Sequence, residues 1–124
     1  MMQWVFLVIG GIAGTVCRYV LSGLVYETAG TNFPYGTLVV NLLGCLLIGF
    51  LSALSESKLM LGPEMRVLWM AGFCGAFTTF STLMLETANL MKDGESVKAF
   101  WNMALSVLIG FIVFRLGVFL GEWI

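Results

Sequence analysis

Apolar residues run almost unbroken in four stretches, separated by three short polar segments, YETAGTNFPYG, SESKLMLGPEMR and KDGESVK. Those segments carry both prolines, Pro34 and Pro63, and most of the charged side chains, so they read as loops. The apolar stretches cover about 4–25, 37–54, 67–91 and 100–123, each close to the ~20 residues that a helix needs to cross the hydrocarbon core. None shows the strict alternation of a half-buried strand. The pattern predicts an all-α integral membrane fold, with four transmembrane helices forming one domain over residues 1–124.

The third stretch is unusual. It contains GFCGAFTTFST at 72–82, where Gly72 and Gly75 weaken a helix and the hydroxyls of Thr78, Thr79, Ser81 and Thr82 can bond backbone groups that a helix would otherwise satisfy. The segment predicts a third helix broken near its middle. A break of this kind is a binding device, because loosened carbonyls can ligate a small cation and the following half-helix can turn its N-terminus to an anion. Phe77 and Phe80 add aromatic rings, whose edges carry partial positive charge that an anion can approach. Against this stands a plainer reading, in which the glycines and hydroxyls serve only to bring helices close together.

Composition removes several function classes. Hydrophobic side chains make up 60% of the 124 residues and charged ones 10%, which leaves no soluble domain. The net charge is −1, with no basic cluster of the kind a nucleic acid requires. The N-terminal MMQWVFLVIGG lacks a basic leader and reads as a retained first span, not a cleaved signal. Cys17, Cys45 and Cys74 lie inside spans without CxxC spacing or histidine, and are expected to pack as small apolar residues. No nucleotide motif or nucleophile–base pair is present, so no enzymatic activity is expected.

Charge also bears on orientation. Lys58 and Arg66 fall on the side of the second loop, Lys92 and Lys98 on the side of the third, and Arg18 and Arg115 lie within spans. With neither side favoured by the positive-inside rule, either orientation can insert, which allows an antiparallel, dual-topology pair of identical chains. Such a pair would give a short chain the inverted symmetry that larger transporters obtain from internal repeats.

A few polar residues do not suit lipid. Asn41 sits mid-span and must face protein or water, as interhelical glue or as a donor on a polar path. Arg18, Arg115 and Glu86 are either structural, snorkelling or paired, or they mark a pathway. Gly10 with Gly14, and Gly117 with Gly121, have the small-xxx-small spacing of close helix packing.

Three segments taken in order, GGIAGTVCRY, GTLVVNLLG and GFCGAFTTFST, resemble the motifs of the first three spans of the Fluc family of fluoride channels. The resemblance extends over nearly the whole chain. It implies an antiparallel dual-topology dimer in a bacterial inner membrane, passive fluoride conduction, and a structural sodium ion at the dimer centre held by the backbone carbonyls of Gly75 and Thr78. It further implies that Asn41, Phe80, Ser81 and Thr82 line the fluoride pore. Arg18 would stand near an aqueous vestibule, and Thr37, Glu86 and Phe77 at polar or flanking positions of less defined role.

Two positions depart from the family pattern. Leu83 stands where a second pore phenylalanine is expected, which raises the alternative of a heterodimer with a related subunit. In the fourth span, Ser106 is the nearest candidate for a pore serine. Two other functions stay open: a small proton-coupled multidrug exporter, which needs a central first-span carboxylate that is not found here, and a non-transporting assembly subunit, which leaves Asn41 and the hydroxyl row without a purpose.

Overall fold

The computed structural model describes residues 1–124 and is entirely helical. Four helical spans, Met2–Ala29, Tyr35–Glu56, Pro63–Lys92 and Ser96–Trp123, are long and apolar enough to cross a membrane. Each extends beyond the bounds read from hydropathy, because a helix continues past the hydrocarbon core as long as its backbone can bond along its own axis. Chain punctuation sets the ends. Gly30, at φ 87, closes the first span by donating its N–H to the carbonyl of Tyr26. Pro63 opens the third span, where its missing N–H costs nothing. Arg66 donates from Nη2 to the Ser55 carbonyl at 2.8 Å, covering one of the last open acceptors of the second span.

The third span is broken where the sequence predicts. Its N-terminal half ends at Phe77, Thr78 and Thr79 are extended at φ −89, ψ 156 and φ −148, ψ 113, and a new helix begins at Phe80. Both the third and fourth spans also contain wider, π-type turns, at Val67–Cys74 and Leu105–Ile109. Such turns rotate the side chains that follow relative to those before, and often occur at functional sites.

The first span packs along the N-terminal half of the third, the second along the C-terminal part of the fourth, the first against the second, and the C-terminal half of the third against the beginning of the fourth. Glycines make the first two possible. A Cβ on Gly14 would run into the Phe73 carbonyl, and one on Gly10 would lie 2.9 Å from the Phe73 nitrogen. Across the other pairing, a Cβ on Gly117 would collide with the Leu46 carbonyl, and one on Gly121 would lie 2.7 Å from the carbonyl oxygen of Phe50. The small-xxx-small pairs therefore act as contact seams, with backbone against backbone and no flexible side chain able to yield.

Substitution at these seams tests the packing. Gly14→Leu and Gly117→Leu should each destabilise the folded protein by about 1–3 kcal/mol or more, the cost of overpacking a tight contact. Gly11→Ala, whose Cβ meets nothing within 4 Å, should not. Thermal unfolding in detergent, followed by tryptophan fluorescence, separates the two classes.

Candidate functional site

The break is held open by one side chain of the second span. Thr79 donates its backbone N–H to Asn41 Oδ1 at 2.8 Å, and Asn41 Nδ2 donates to the Thr79 carbonyl at 3.1 Å. A carboxamide thus takes the place of a helical neighbour and satisfies both backbone groups of an extended residue. Thr79 then caps the helix that follows: its Oγ1 accepts from the Thr82 amide at 3.3 Å and bonds Thr82 Oγ1 at 3.0 Å. On the other side, Thr78 folds back, its amide and hydroxyl both reaching the Cys74 carbonyl at 3.1 and 2.9 Å. Gly44 gives the Thr78 methyl its room, since a Cβ there would overlap it.

These bonds have a consequence for the carbonyls behind them. In a continuous helix the Gly75 oxygen would accept from Thr79 and the Thr78 oxygen from Thr82. Here the Thr79 amide goes to Asn41 and the Thr82 amide to the Thr79 hydroxyl, so both carbonyls lose their helical donors. Between them in sequence, the Ala76 carbonyl takes a 3.0 Å bond from Arg18 Nε. Arg18 is thus neither free in lipid nor merely snorkelling: it reaches from the first span to the end of the broken half-helix.

A pocket of about 330 Å³ opens beside the break, lined by residues that include Asn41, Thr78, Thr79, Phe80, Leu83 and Ser106. Gly75 is on its wall too, so the two freed carbonyl positions and two of the predicted pore residues, Asn41 and Phe80, share one cavity with the fourth-span serine. Phe80 is 70% exposed, its ring turned outward from the chain, while Leu83 is only 5% exposed and packs inward. Ser81 is exposed and Thr82 half-buried on the first turn of the new helix. Phe77 belongs to the packing of the chain: it is 6% exposed, stacks on Phe73 with centroids 5.4 Å apart, and does not line the pocket. Of the cysteines, Cys74 is buried, Cys45 joins the pocket wall and Cys17 faces outward.

Thr37 and Glu86 meet at a separate point. Glu86 Oε1 accepts from Thr37 Oγ1 at 2.7 Å and from Tyr26 OH at 3.3 Å, joining the first three spans, while Oε2 is buried without a partner. Arg115 is exposed on the fourth span and makes no hydrogen bond or ion pair.

Three residues that sequence reasoning passed over prove central. Thr79 was visible only as one hydroxyl in a row, although a threonine directly before a helical run is a capping signal. Asn102 is 1% exposed, donates from Nδ2 to Thr87 Oγ1 at 2.9 Å, and leaves its carbonyl oxygen buried and unpaired. Thr87 passes the link on to the Leu83 carbonyl at 2.7 Å. The signal for Asn102 was the one that singled out Asn41, an amide inside an apolar span. Ser106 Oγ, one turn on, is likewise buried and unpaired, on the wall of the pocket.

Comparison with known proteins identifies the family. The family pattern described as "CrcB-like protein, Camphor Resistance (CrcB)" matches residues 5–118. A protein of Maridesulfovibrio salexigens named fluoride-specific ion channel FluC is 43% identical over 124 residues, covering all of this chain and 98% of its own. Proteins of the same name from Chlorobaculum tepidum and Magnetococcus marinus are 48% and 46% identical, covering 91% and 99% of this chain and 89% and 100% of theirs. The chain belongs to the CrcB/Fluc family. It is therefore a member of a family of ion channels and not of enzymes, and a multi-pass membrane protein, consistent with a bacterial inner membrane.

The Asn41 pairing makes a direct prediction. Asn41→Ala leaves the N–H and the carbonyl of Thr79 without partners away from water, at about 1–3 kcal/mol for each group. Asn41→Ala should accordingly lower the melting temperature in detergent by several degrees, and Asn41→Asp should lower it less at acidic pH, where the protonated carboxyl keeps both an acceptor for the Thr79 amide and a donor for the Thr79 carbonyl. Equal melting of wild type and Asn41→Ala would show that the amide does not hold the break.

Proposed function

We propose that the chain forms a fluoride-selective channel that lets cytoplasmic fluoride leave passively down the membrane potential. The observation that carries this reading is the end-to-end similarity, 43–48% in the three relatives above, to proteins named fluoride-specific ion channels. The site supports it chemically. Fluoride is small, strongly hydrated and a strong hydrogen-bond acceptor, so a pore must replace lost water with donors. Ser81 and Thr82 hydroxyls and the second N–H of the Asn41 amide are such donors. The outward-turned ring of Phe80 adds a positive edge that accommodates a partly dehydrated anion without trapping it.

The working unit is an antiparallel homodimer. Phe80, 70% exposed on a single chain, forms a pore wall only when something lies opposite, and a second copy of the chain supplies it. In that dimer a sodium ion would be held by the carbonyls of Gly75 and Thr78, which the break has stripped of helical donors. The donor set fits a hard alkali cation, since it consists of neutral backbone oxygens and no thiolate or imidazole. When bound, sodium would neutralise the carbonyl partial charges at the chain break.

An inside-negative potential favours anion exit by about 2.3 kcal/mol per 100 mV, so no energy source beyond the potential is needed. Hydrogen fluoride enters neutral and ionises inside, and the pore returns the anion. Leu83 favours a second reading: its inward-packed aliphatic side chain presents no ring edge to the pocket, and a related, non-identical subunit would provide the missing one.

Liposomes carrying the purified chain, loaded with fluoride and made permeable to potassium with valinomycin, should release fluoride rapidly to an external electrode. Phe80→Ile should slow this release by about tenfold or more, as expected for loss of a ring edge from the pore wall. Absence of fast release from the chain alone would overturn the homomeric channel and leave the heteromer. Unchanged release from Phe80→Ile would remove its ring from the pore.

A further inference from the structure

The broken half-helix ends in a run of carbonyls with different fates. Gly75 and Thr78 lose their helical donors, while Ala76, lying between them in sequence, is satisfied by the Arg18 guanidinium at 3.0 Å. The bond comes from Nε, and Arg18 makes no other hydrogen bond and no ion pair, so its full positive charge is fixed at the C-terminal end of the half-helix. That end carries the negative pole of the helix dipole, where a cation is stabilising. It is also where the sodium site is placed. The fixed cation therefore sits on the carbonyl that lies in sequence between the two that would hold the sodium.

We propose that Arg18 is a positioning residue of the break that sets the sodium affinity of the Gly75–Thr78 site. This inference rests on the sodium reading given above. Arg18 does two separable things. Its Nε donor holds the Ala76 carbonyl and with it the end of the half-helix, and its charge repels a second cation brought to the neighbouring oxygens. Sodium thus binds more weakly than the carbonyls alone would hold it. Because the side chain is half-buried in a membrane-spanning protein, the repulsion is screened less than between exposed surface charges.

Side-chain geometry allows the two roles to be pulled apart. In glutamine the amide nitrogen stands the same number of bonds from Cα as arginine Nε, so Arg18→Gln keeps a donor for the Ala76 carbonyl and removes the charge. Arg18→Lys keeps the charge and moves the donor one atom further out. Melting temperature of the purified protein, measured against sodium concentration with N-methylglucamine replacing sodium at constant ionic strength, reports binding without reference to fluoride flux.

Wild type should melt higher as sodium rises, because a ligand that binds only the folded state stabilises it. Arg18→Gln should show the same rise with its midpoint at sodium concentrations at least about threefold lower, as removal of a nearby like charge requires. Arg18→Lys should stay close to wild type. A wild-type melt indifferent to sodium would refute the sodium site and this inference with it. A sodium-dependent wild type with an Arg18→Gln midpoint equal to or higher than its own would refute the role of Arg18 and leave the sodium site standing. Should Arg18→Gln not fold, the comparison passes to Arg18→Lys, for which a midpoint shifted by more than about threefold in either direction counts against charge as the controlling property.

Discussion

A membrane gives backbone polar groups no water, and a helix that breaks inside it must find other partners for what it releases. In this chain the partner is the carboxamide of Asn41. It donates to and accepts from Thr79, and so pays the desolvation of an extended residue in the middle of a span. Everything else at the site follows from that pair of bonds. Because the Thr79 amide is committed to Asn41, the Gly75 carbonyl loses its donor. Because Thr79 is extended, its hydroxyl is placed to cap the helix that starts at Phe80, which takes the Thr82 amide away from the Thr78 carbonyl. Arg18 covers the carbonyl of Ala76.

The glycine seams serve the same end. The N-terminal half of the third span is pressed against the first by Gly10, Gly14 and Gly72, each facing backbone atoms. This brings Arg18 within reach of Ala76. Gly44 does the equivalent for the second span, where a Cβ would strike the Thr78 methyl and push Asn41 away from Thr79. Packing residues and polar residues are thus parts of one device: closeness supplied by the small residues lets short side chains such as asparagine reach the backbone of the break.

Much of this was legible in the sequence, for physical reasons that differ by residue. The four spans followed from hydropathy, and the break from the coincidence of Gly72 and Gly75 with four hydroxyls in one apolar run. Asn41 announced itself because an amide cannot be left alone in lipid. Its partner could not be read, since contacts between spans depend on rotation and register that a linear pattern does not carry. For that reason Arg18 was legible as an anomaly but not as the donor to Ala76, and Phe77, one residue before the break, was set apart from Phe80 only by the family resemblance, while its packing against Phe73 had to come from the structure. Asn102 obeyed the rule that exposed Asn41, yet it lay outside any motif, and only its link to Thr87 shows what it joins.

On the proposed reading, the break would let one segment suit ions of opposite sign. Its first half ends in carbonyls, the negative pole of a helix, and its second half begins in amides, the positive pole. In a continuous helix these groups cancel by bonding to each other. Separated by the extended pair Thr78 and Thr79, they leave two opposite fields within a few residues, which in the proposed channel would offer acceptors at Gly75 and Thr78 to a cation and donors at the start of the next helix to an anion. Neither field needs a charged side chain in the pore, which matters for conduction, since a full positive charge facing fluoride in low dielectric would hold it too tightly to release. Arg18 is turned to the carbonyl end, where its charge lowers the local negative potential, and in the proposed channel this would leave the anion path to dipoles and ring edges.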